Sequence, residues 1–443
     1  MVIRQVFSFL QRDLPASGRV LYPGAIPPPL QQLSARLNSV SLTPFTPSDV
    51  DCVWAAKGFH RDWGEAEIVC LRKPAVPSSV FVDHTLTLTD EEKVRARSGE
   101  ATIGLSVRAQ QRQVLTDRKR LLFWLRALLQ ADGAVAIDDA SMIYWSETML
   151  DDELAHDADL DIESLYCIHA VQNAQDSDRV DWLHTHGLGE LRALDVDILQ
   201  PSPEFVANCG DPIRALAFAA LEGRIGPDVD RFPLAYPGGD VRLVSVERFH
   251  ADAAPEHRNL RELDEFHTWR RAVVCEPVGG LFSRWRSRPV PSRFLSRSLE
   301  NGSVLSFSKV ATALMSARAR QTVSVFRTLS EEFDSLELPA LVKLGYEVEG
   351  GAEGDQEHLW FAVHRVLGDT VDATLTNEPH RVPVLKAGQR AEWPLERLTD
   401  WVILSPEGPM TPRNISAARR LRVDRATWQA RLDAAKQAGE PHD

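Results

Sequence analysis

Two runs of β-forming residues, 359–366 and 370–376, stand on either side of Gly368-Asp369. A connection this short joins only antiparallel strands, because parallel neighbours need a crossover of a dozen residues or more. This hairpin anchors a longer β region. Runs at 342–348, 382–385, 390–393 and 400–404 predict further strands, with 382–385 and 390–393 pairing across Lys386-Ala387-Gly388. A long amphipathic helix, 303–333, precedes them. Its apolar face uses Phe307, Val310, Leu314, Val325, Phe326, Leu329 and Phe333. Polar residues between Leu314 and Val323 predict a break there, and a basic helix closes the chain.

The N-terminal part mixes the same two periodicities. Strands are expected at 67–71, 80–88 and 101–107, then a helix at 116–130 carrying Leu121, Leu122, Leu125, Leu128 and Leu129, then a short strand at 134–137. The acidic stretch 151–161 reads as an exposed connection. Strands follow at 164–171, 194–199 and 241–249, with a helix at 211–221 that has proline in its first turn. The fold class is α+β, mainly antiparallel sheets with packed helices, in at least two domains. The expected division is a partly extended segment over 1–50, an α+β domain over 51–250, a linker or long loop over 251–302, and a second α+β domain over 303–443.

Of 443 residues, 44% are hydrophobic and 26% charged, which is enough to build cores of ordinary size. The net charge is −13, so phosphate backbones repel the chain as a whole and nucleic-acid binding is disfavoured. Arg284, Arg286, Arg288, Arg293 and Arg297 form one local basic patch; Arg413, Arg419, Arg420, Arg422 and Arg425 form another. Neither has the interleaved aromatics on which bases stack. The five cysteines, Cys52, Cys70, Cys167, Cys209 and Cys275, are dispersed and include no C-x-x-C pair. Reduced, mostly buried thiols are expected, with the cytoplasm as the address. No apolar run approaches the roughly 20 residues that span a bilayer, so no membrane partner is expected.

Chemistry is most strongly suggested at Trp182-Leu183-His184-Thr185-His186-Gly187-Leu188-Gly189-Glu190. On a strand, His184 and His186 share a face about 7 Å apart. Two imidazoles so placed can hold a divalent metal, with Glu190 or Asp195 as a third ligand, and zinc there would activate water for hydrolysis. Alternatively, the histidines bond backbone groups and shape a glycine turn. A second constellation is Glu357-His358-Leu359-Trp360-Phe361-Ala362-Val363-His364, where Trp360, Ala362 and His364 share one strand face and Glu357 and His358 mark its entrance. It reads as a ligand site or as an ordinary half-buried strand. A third is Asp400-Trp401, where Asp400 can cap a turn and Trp401 can anchor the sheet or join Trp393 in a binding surface. The chain has no phosphate-binding glycine loop, no nucleophile elbow, and no cysteine with an evident histidine base.

Four blocks in order, Glu357-His358-Leu359-Trp360-Phe361, Thr374-Leu375-Thr376-Asn377-Glu378-Pro379, Leu385-Lys386-Ala387-Gly388-Gln389 and Leu398-Thr399-Asp400-Trp401, make the C-terminal hundred residues resemble the YegJ-like domain of unknown function 2314. The segment Trp182 to Leu188 resembles a second uncharacterised bacterial family, domain of unknown function 4026. These resemblances imply a bacterial origin and α+β domains, and they transfer no activity, cofactor or catalytic residue. The leading expectation is a non-catalytic binding or interaction protein with an unknown protein partner and no cofactor. The alternatives are a metal-dependent hydrolase using His184 and His186, and an immunity-type protein that sequesters a toxin.

Overall fold

A computed structural model describes residues 16–24, 27–37, 39–46, 52–71, 82–83, 85, 87–107, 114–155, 162–173, 179–191, 193–207, 209–236, 239–261, 270–278, 288–293, 304–305, 307–351 and 356–438. The chain forms two compact units, Met1–Ser308 and Lys309–Asp443. Three sheets, almost wholly antiparallel, with helices packed on them make the fold α+β.

The first unit holds two seven-stranded sheets. Edge to edge, the first runs Ser41–Phe45, Cys52–His60, Gly64–Leu71, Gly99–Val107, Ala16–Pro23, Val135–Asp138 and Tyr144–Trp145. Ala16–Pro23, from the stretch expected to be partly extended, is thus an interior strand, paired on both sides. The leucine periodicity of helix Val114–Gln130 does what its spacing predicts. Leu121, Leu122, Trp124, Leu125 and Leu128 are buried, and the helix packs on the interior strands of the sheet.

The second sheet runs Val304–Leu305, Val229–Tyr236, Gly239–Ser245, Arg271–Cys275, Asp195–Leu199, Val180–His186 and Cys167–Gln172. Among the described residues only the pair Asp195–Leu199 with Arg271–Cys275 is parallel. On one face Leu199, Val244, Val273 and Cys275 meet Val246, Phe249 and Ala253 to form a core, with Trp182 and Leu260 packed at its side.

The second unit is a six-stranded antiparallel sheet ordered Arg390–Pro394, Thr370–Leu375, Gln356–Leu367, Ala340–Glu347, Leu398–Ser405 and Gly408–Met410. Gly368 takes φ +59° at the predicted hairpin turn. The predicted amphipathic helix starts later than expected and is two helices, Lys309–Gln321 and Val323–Glu332, broken at Thr322; Val304–Leu305 is a strand and Phe307 precedes the first helix. Phe326, Leu329 and Phe333 enter the core of this unit with Phe361, Trp393 and Trp401. Helix Ser416–Ala438 closes the described chain.

Five local expectations need correction. Residues described within 80–88 are not strand: Val82 and Asp83 are helical, Thr85 N donates to Val82 O, and Val80, Phe81, His84 and Leu86 lie outside the described residues. Helix Asp90–Arg97 follows, opened by the reciprocal capping box of Thr89 with Glu92. Strand 241–249 ends at Ser245, and helix Val246–Asp252 takes over with Val246 and Phe249 on its buried side. Residues 382–385 form a turn closed by Leu385 N donating to Val382 O, since Pro383 has no N–H for a ladder. The acidic stretch 151–161 begins as the last turn of helix Glu147–Leu154, capped by Ser146; 156–161 lie outside the described residues. Within 251–302, Arg271–Cys275 is a fully buried interior strand, so that segment is not simply a linker. Arg284, Arg286 and Arg297 lie outside the described residues.

Among the described residues no helix is long and apolar enough to cross a membrane. None of the five cysteines is in a disulfide.

Candidate functional site

The ten candidate residues divide between the units. In the first, Val180–His186 lies between Cys167–Gln172 and Asp195–Leu199 in the second sheet. The register sets His184 opposite His169 and His186 opposite Cys167 on one side, and His184 opposite Asp197 on the other. Cross-strand partners share a face, so Trp182, His184 and His186 are gathered with Cys167, His169 and Asp197.

The rings make a continuous cluster. Trp182 stacks on His184 at 4.1 Å between centroids, His169 stands edge-on to His184 at 5.3 Å, and His169 and His186 are 5.5 Å apart. Arg261 places its guanidinium over Trp182, 4.4 Å from the ring centroid. The same arginine donates to Asp197 at 3.0 Å, and Arg271 donates to Asp197 at 2.7 Å. Arg271 also lies 3.9 Å from Asp195. Asp195, Arg271, Asp197 and Arg261 form a row of alternating charge, all buried. Each member is compensated by a neighbour, which makes burial of four charges tolerable.

Asp195 is fully committed. It accepts from Thr185 Oγ1 at 2.7 Å and from the backbone N–H groups of Leu188 and Gly189 at 3.2 and 2.8 Å. Burial pushes its carboxyl above the ordinary range, against the opposing pull of Arg271 and the Thr185 hydroxyl. The carboxylate weighed as a third metal ligand therefore holds the Gly187-Leu188-Gly189 turn. Gly187 sits at φ +122°, where an added Cβ would lie 2.5 Å from Leu165 O. His186 Nδ1 faces Ala140 O at 3.2 Å; a carbonyl only accepts, so Nδ1 carries the proton. Glu190 belongs to the 3-10 turn Gly189–Leu191, and its side chain lies outside the described residues.

Two residues of this cluster escape a reading of the linear sequence. Cys167 and His169 repeat the i, i+2 spacing of His184 and His186 on the neighbouring strand, and the signal appears only when the register aligns the two pairs. The sequence suggests no cysteine with a histidine base, yet Cys167 Sγ lies 3.1 Å from His169 Nε2. This pair is not an activated nucleophile. The thiol also donates to Ser141 O at 2.6 Å, and burial, then Asp195 and Asp138, push its pKa upward, away from the thiolate. As the side chains stand, no group of three His, Cys, Asp or Glu among the described residues is set to hold a metal ion.

In the second unit the remaining candidates take separate parts. Glu357 accepts from His380 N and Arg381 N at 2.8 and 2.7 Å, pinning the loop after Thr370–Leu375. His358 Nδ1 meets Thr399 Oγ1 at 3.1 Å, and that hydroxyl donates its only proton to Lys343 O; the histidine is therefore the donor. Burial, then the charge of Lys343, lower the pKa of His358. Trp393 and Trp401 do not form a surface. Trp393 is buried against Phe361 and donates to Ala373 O; Trp401 is fully buried and donates to Thr322 Oγ1. Asp400 pairs with Arg413 at 3.1 Å.

Trp360 differs from these. It is only half-buried, and Lys343 lies across its ring with Nζ 5.0 Å from the centroid. Lys343 stands between Trp360 and Asp400 in the register, Leu341 between Ala362 and Val402, and Thr374 between Ala362 and Arg390. His364 bonds Thr374 at 2.8 Å, and Arg390 grips Asp372 with two hydrogen bonds at 2.9 and 2.6 Å. The face opposite the helix-covered core is thus a half-exposed aromatic among residues of both charges. In the C-terminal basic stretch, Arg413, Arg420 and Arg422 pair with Asp400, Glu407 and Glu332.

Comparison with known proteins adds families and no activity. Residues 309–418 match the model of a family described as an uncharacterised protein conserved in bacteria (DUF2314). Residues 168–253 match the C-terminal model of a protein of unknown function (DUF4026). These are the two families that the C-terminal and central motifs resemble. No curated protein and no solved structure matches the chain.

Proposed function

We propose that this chain is a non-catalytic binding protein of the bacterial cytoplasm, and that it engages a protein partner through the sheet face around Trp360. One observation carries the reading: Trp360 is half-exposed and braced by Lys343 on a strand face that mixes Leu341, Ala362 and Val402 with residues of both charges. Tryptophan and arginine, surrounded by polar groups, are the residue types that dominate protein–protein contacts. The face carries Lys343 and Arg390 beside Asp372, Glu392 and Asp400, a mixture suited to another protein's mixed surface rather than to a phosphate backbone. Asp195, Glu357 and Asp400 are engaged in holding loops and strands, which leaves them poorly placed for acid–base work. Five thiols outside any disulfide suit a reducing compartment.

The test is affinity purification of the full chain from a lysate of the native host, in parallel with Trp360→Ala and a Lys343→Ala variant. A protein enriched by the wild type, bound directly after purification, and weakened at least about tenfold by Trp360→Ala supports the reading. Absence of any partner above background, or a partner indifferent to Trp360→Ala while the variant melts like the wild type, overturns it.

A further inference from the structure

We propose that the outer edge of strand Cys167–Gln172 is a docking site, where a partner protein adds one extended, β-forming segment flanked by lysine or arginine. This edge lies in the first unit, apart from Trp360, so the two surfaces are tested separately.

An edge strand presents unpaired N–H and C=O groups, and folds blunt such edges with brevity, charge or proline. Among the described residues the three sheets have six edge strands, and five are blunted. Tyr144–Trp145 and Val304–Leu305 have two residues each, and Gly408–Met410 has three, with Pro409 in the middle. Ser41–Phe45 carries Pro44, and Arg390–Pro394 carries Arg390, Glu392 and its terminal proline. Cys167–Gln172 is the exception: six residues, Cys-Ile-His-Ala-Val-Gln, without proline, lysine, arginine or carboxylate.

On its inner side the strand keeps regular register with Val180–His186 from Cys167 to Val171. Alternate residues of an antiparallel pair turn both backbone groups outward. Among the described residues, Ile168, Ala170 and Val171 make no hydrogen bond beyond that ladder, so the outward groups stay open. Ala170, Val171 and Gln172 are exposed, Val171 at 40%. The strand is also held in place. Cys167 Sγ donates to Ser141 O at 2.6 Å, and His169 stands edge-on to His184. An added segment therefore meets a preformed template, and little ordering of this chain opposes its binding.

Charge selects the occupant. Residues 147–166, which lead into the strand, include eight carboxylates and no lysine or arginine. Residues 173–181, which leave it, include three aspartates and one arginine. Arg126 and Arg214 reach Asp151 and Glu163 from elsewhere in the unit, and the balance of charge in the two flanks stays acidic. A second copy of this chain would bring acidic flanks against acidic flanks. A segment with an uncharged, β-branched centre and basic ends satisfies the backbone and the charge together.

The experiment pans a display library of random peptides on the immobilised full chain, then measures the enriched peptides by fluorescence anisotropy. The peptides are about twelve residues long, enough for a strand and two flanks. Enriched sequences are expected to share an alternating, β-branched centre between basic ends. Val171→Lys, which puts a charge on the edge, weakens their binding at least about tenfold. Val384→Lys adds the same charge at a side chain 80% exposed in the other unit and leaves binding unchanged, as does Trp360→Ala. A library that yields no enriched peptide overturns the proposal. So does a consensus rich in proline or in acidic residues, which needs no variant, and so does binding indifferent to Val171→Lys. A dimer in sedimentation equilibrium that Val171→Lys dissolves also overturns it, because the edge then belongs to a second copy.

Discussion

Trp401 donates its indole N–H to Thr322 Oγ1 at 3.0 Å, at the point where two consecutive helices of the C-terminal unit break. The threonine passes its own proton back to Arg318 O at 2.9 Å, so one hydroxyl satisfies both the helix end and the buried tryptophan. Thr322→Val keeps the volume and removes the acceptor, leaving a buried donor unpaired. A loss of about 1–3 kcal/mol is expected from urea unfolding. Combining it with Trp401→Phe gives a total loss below the sum of the two single losses, because the orphaned donor is gone. A Thr322→Val protein as stable as the wild type refutes the role assigned to this bond.

The charge row in the first unit yields a ranking. Asp197→Asn leaves Arg261 and Arg271 buried with their shared counter-charge removed, and costs about 3–5 kcal/mol. Arg261→Met removes one donor and the contact over Trp182 but leaves Asp197 paired with Arg271, so it costs less. Denaturation midpoints of the two variants give the comparison directly; the reverse order contradicts the arrangement described.

Two glycines with positive φ separate conformational strain from collision. At Gly368, φ is +59° and an added Cβ meets open space, so Gly368→Ala costs only about 1 kcal/mol. At Gly187, φ is +122° and the same Cβ strikes Leu165 O, so backbone must move. Gly187→Ala is expected to lower the melting temperature several times further than Gly368→Ala, read by differential scanning calorimetry.

His358 makes stability depend on pH in a defined direction. Its folded pKa lies below the ordinary 6.5, because burial and Lys343 disfavour the imidazolium. The unfolded chain therefore binds the proton more readily. The contribution is fully present above the unfolded pKa and is lost as pH falls through the folded one. Between about pH 7 and pH 5, His358→Gln should lose less stability than the wild type. Parallel losses in the two proteins count against the assignment.

How much of this was legible in the sequence follows the range of the interactions. The hairpin around Gly368 and the helix Val114–Gln130 were, because periodicity and turn chemistry act between near neighbours. The helix break was also visible as a polar interruption before Val323. Strand Arg271–Cys275 was not: its partner Asp195–Leu199 is remote in the chain, and the proline- and glycine-rich residues after it suggested a loop.

In the candidate site, the spacing of His184 and His186 was plain, and their shared strand face is what the structure has. Cys167 and His169 were hidden because only strand register brings them opposite. Trp360, Trp393 and Trp401 illustrate the remaining ambiguity. All three lie on strands in aromatic-rich segments, and which of them faces solvent is decided by the side of the sheet on which the helices pack.

The place of Ala16–Pro23 has a consequence for how the chain is made. The strand leaves the ribosome before either of its partners, Gly99–Val107 on one side and Val135–Asp138 on the other. Until residue 138 has been synthesised, an apolar strand with at least one unpaired edge must wait in the nascent chain. Such an edge is a template for pairing with the wrong strand. Slowing translation beyond residue 138 should leave soluble yield unchanged, whereas a stall between residues 23 and 99 should lower it through aggregation of the waiting strand.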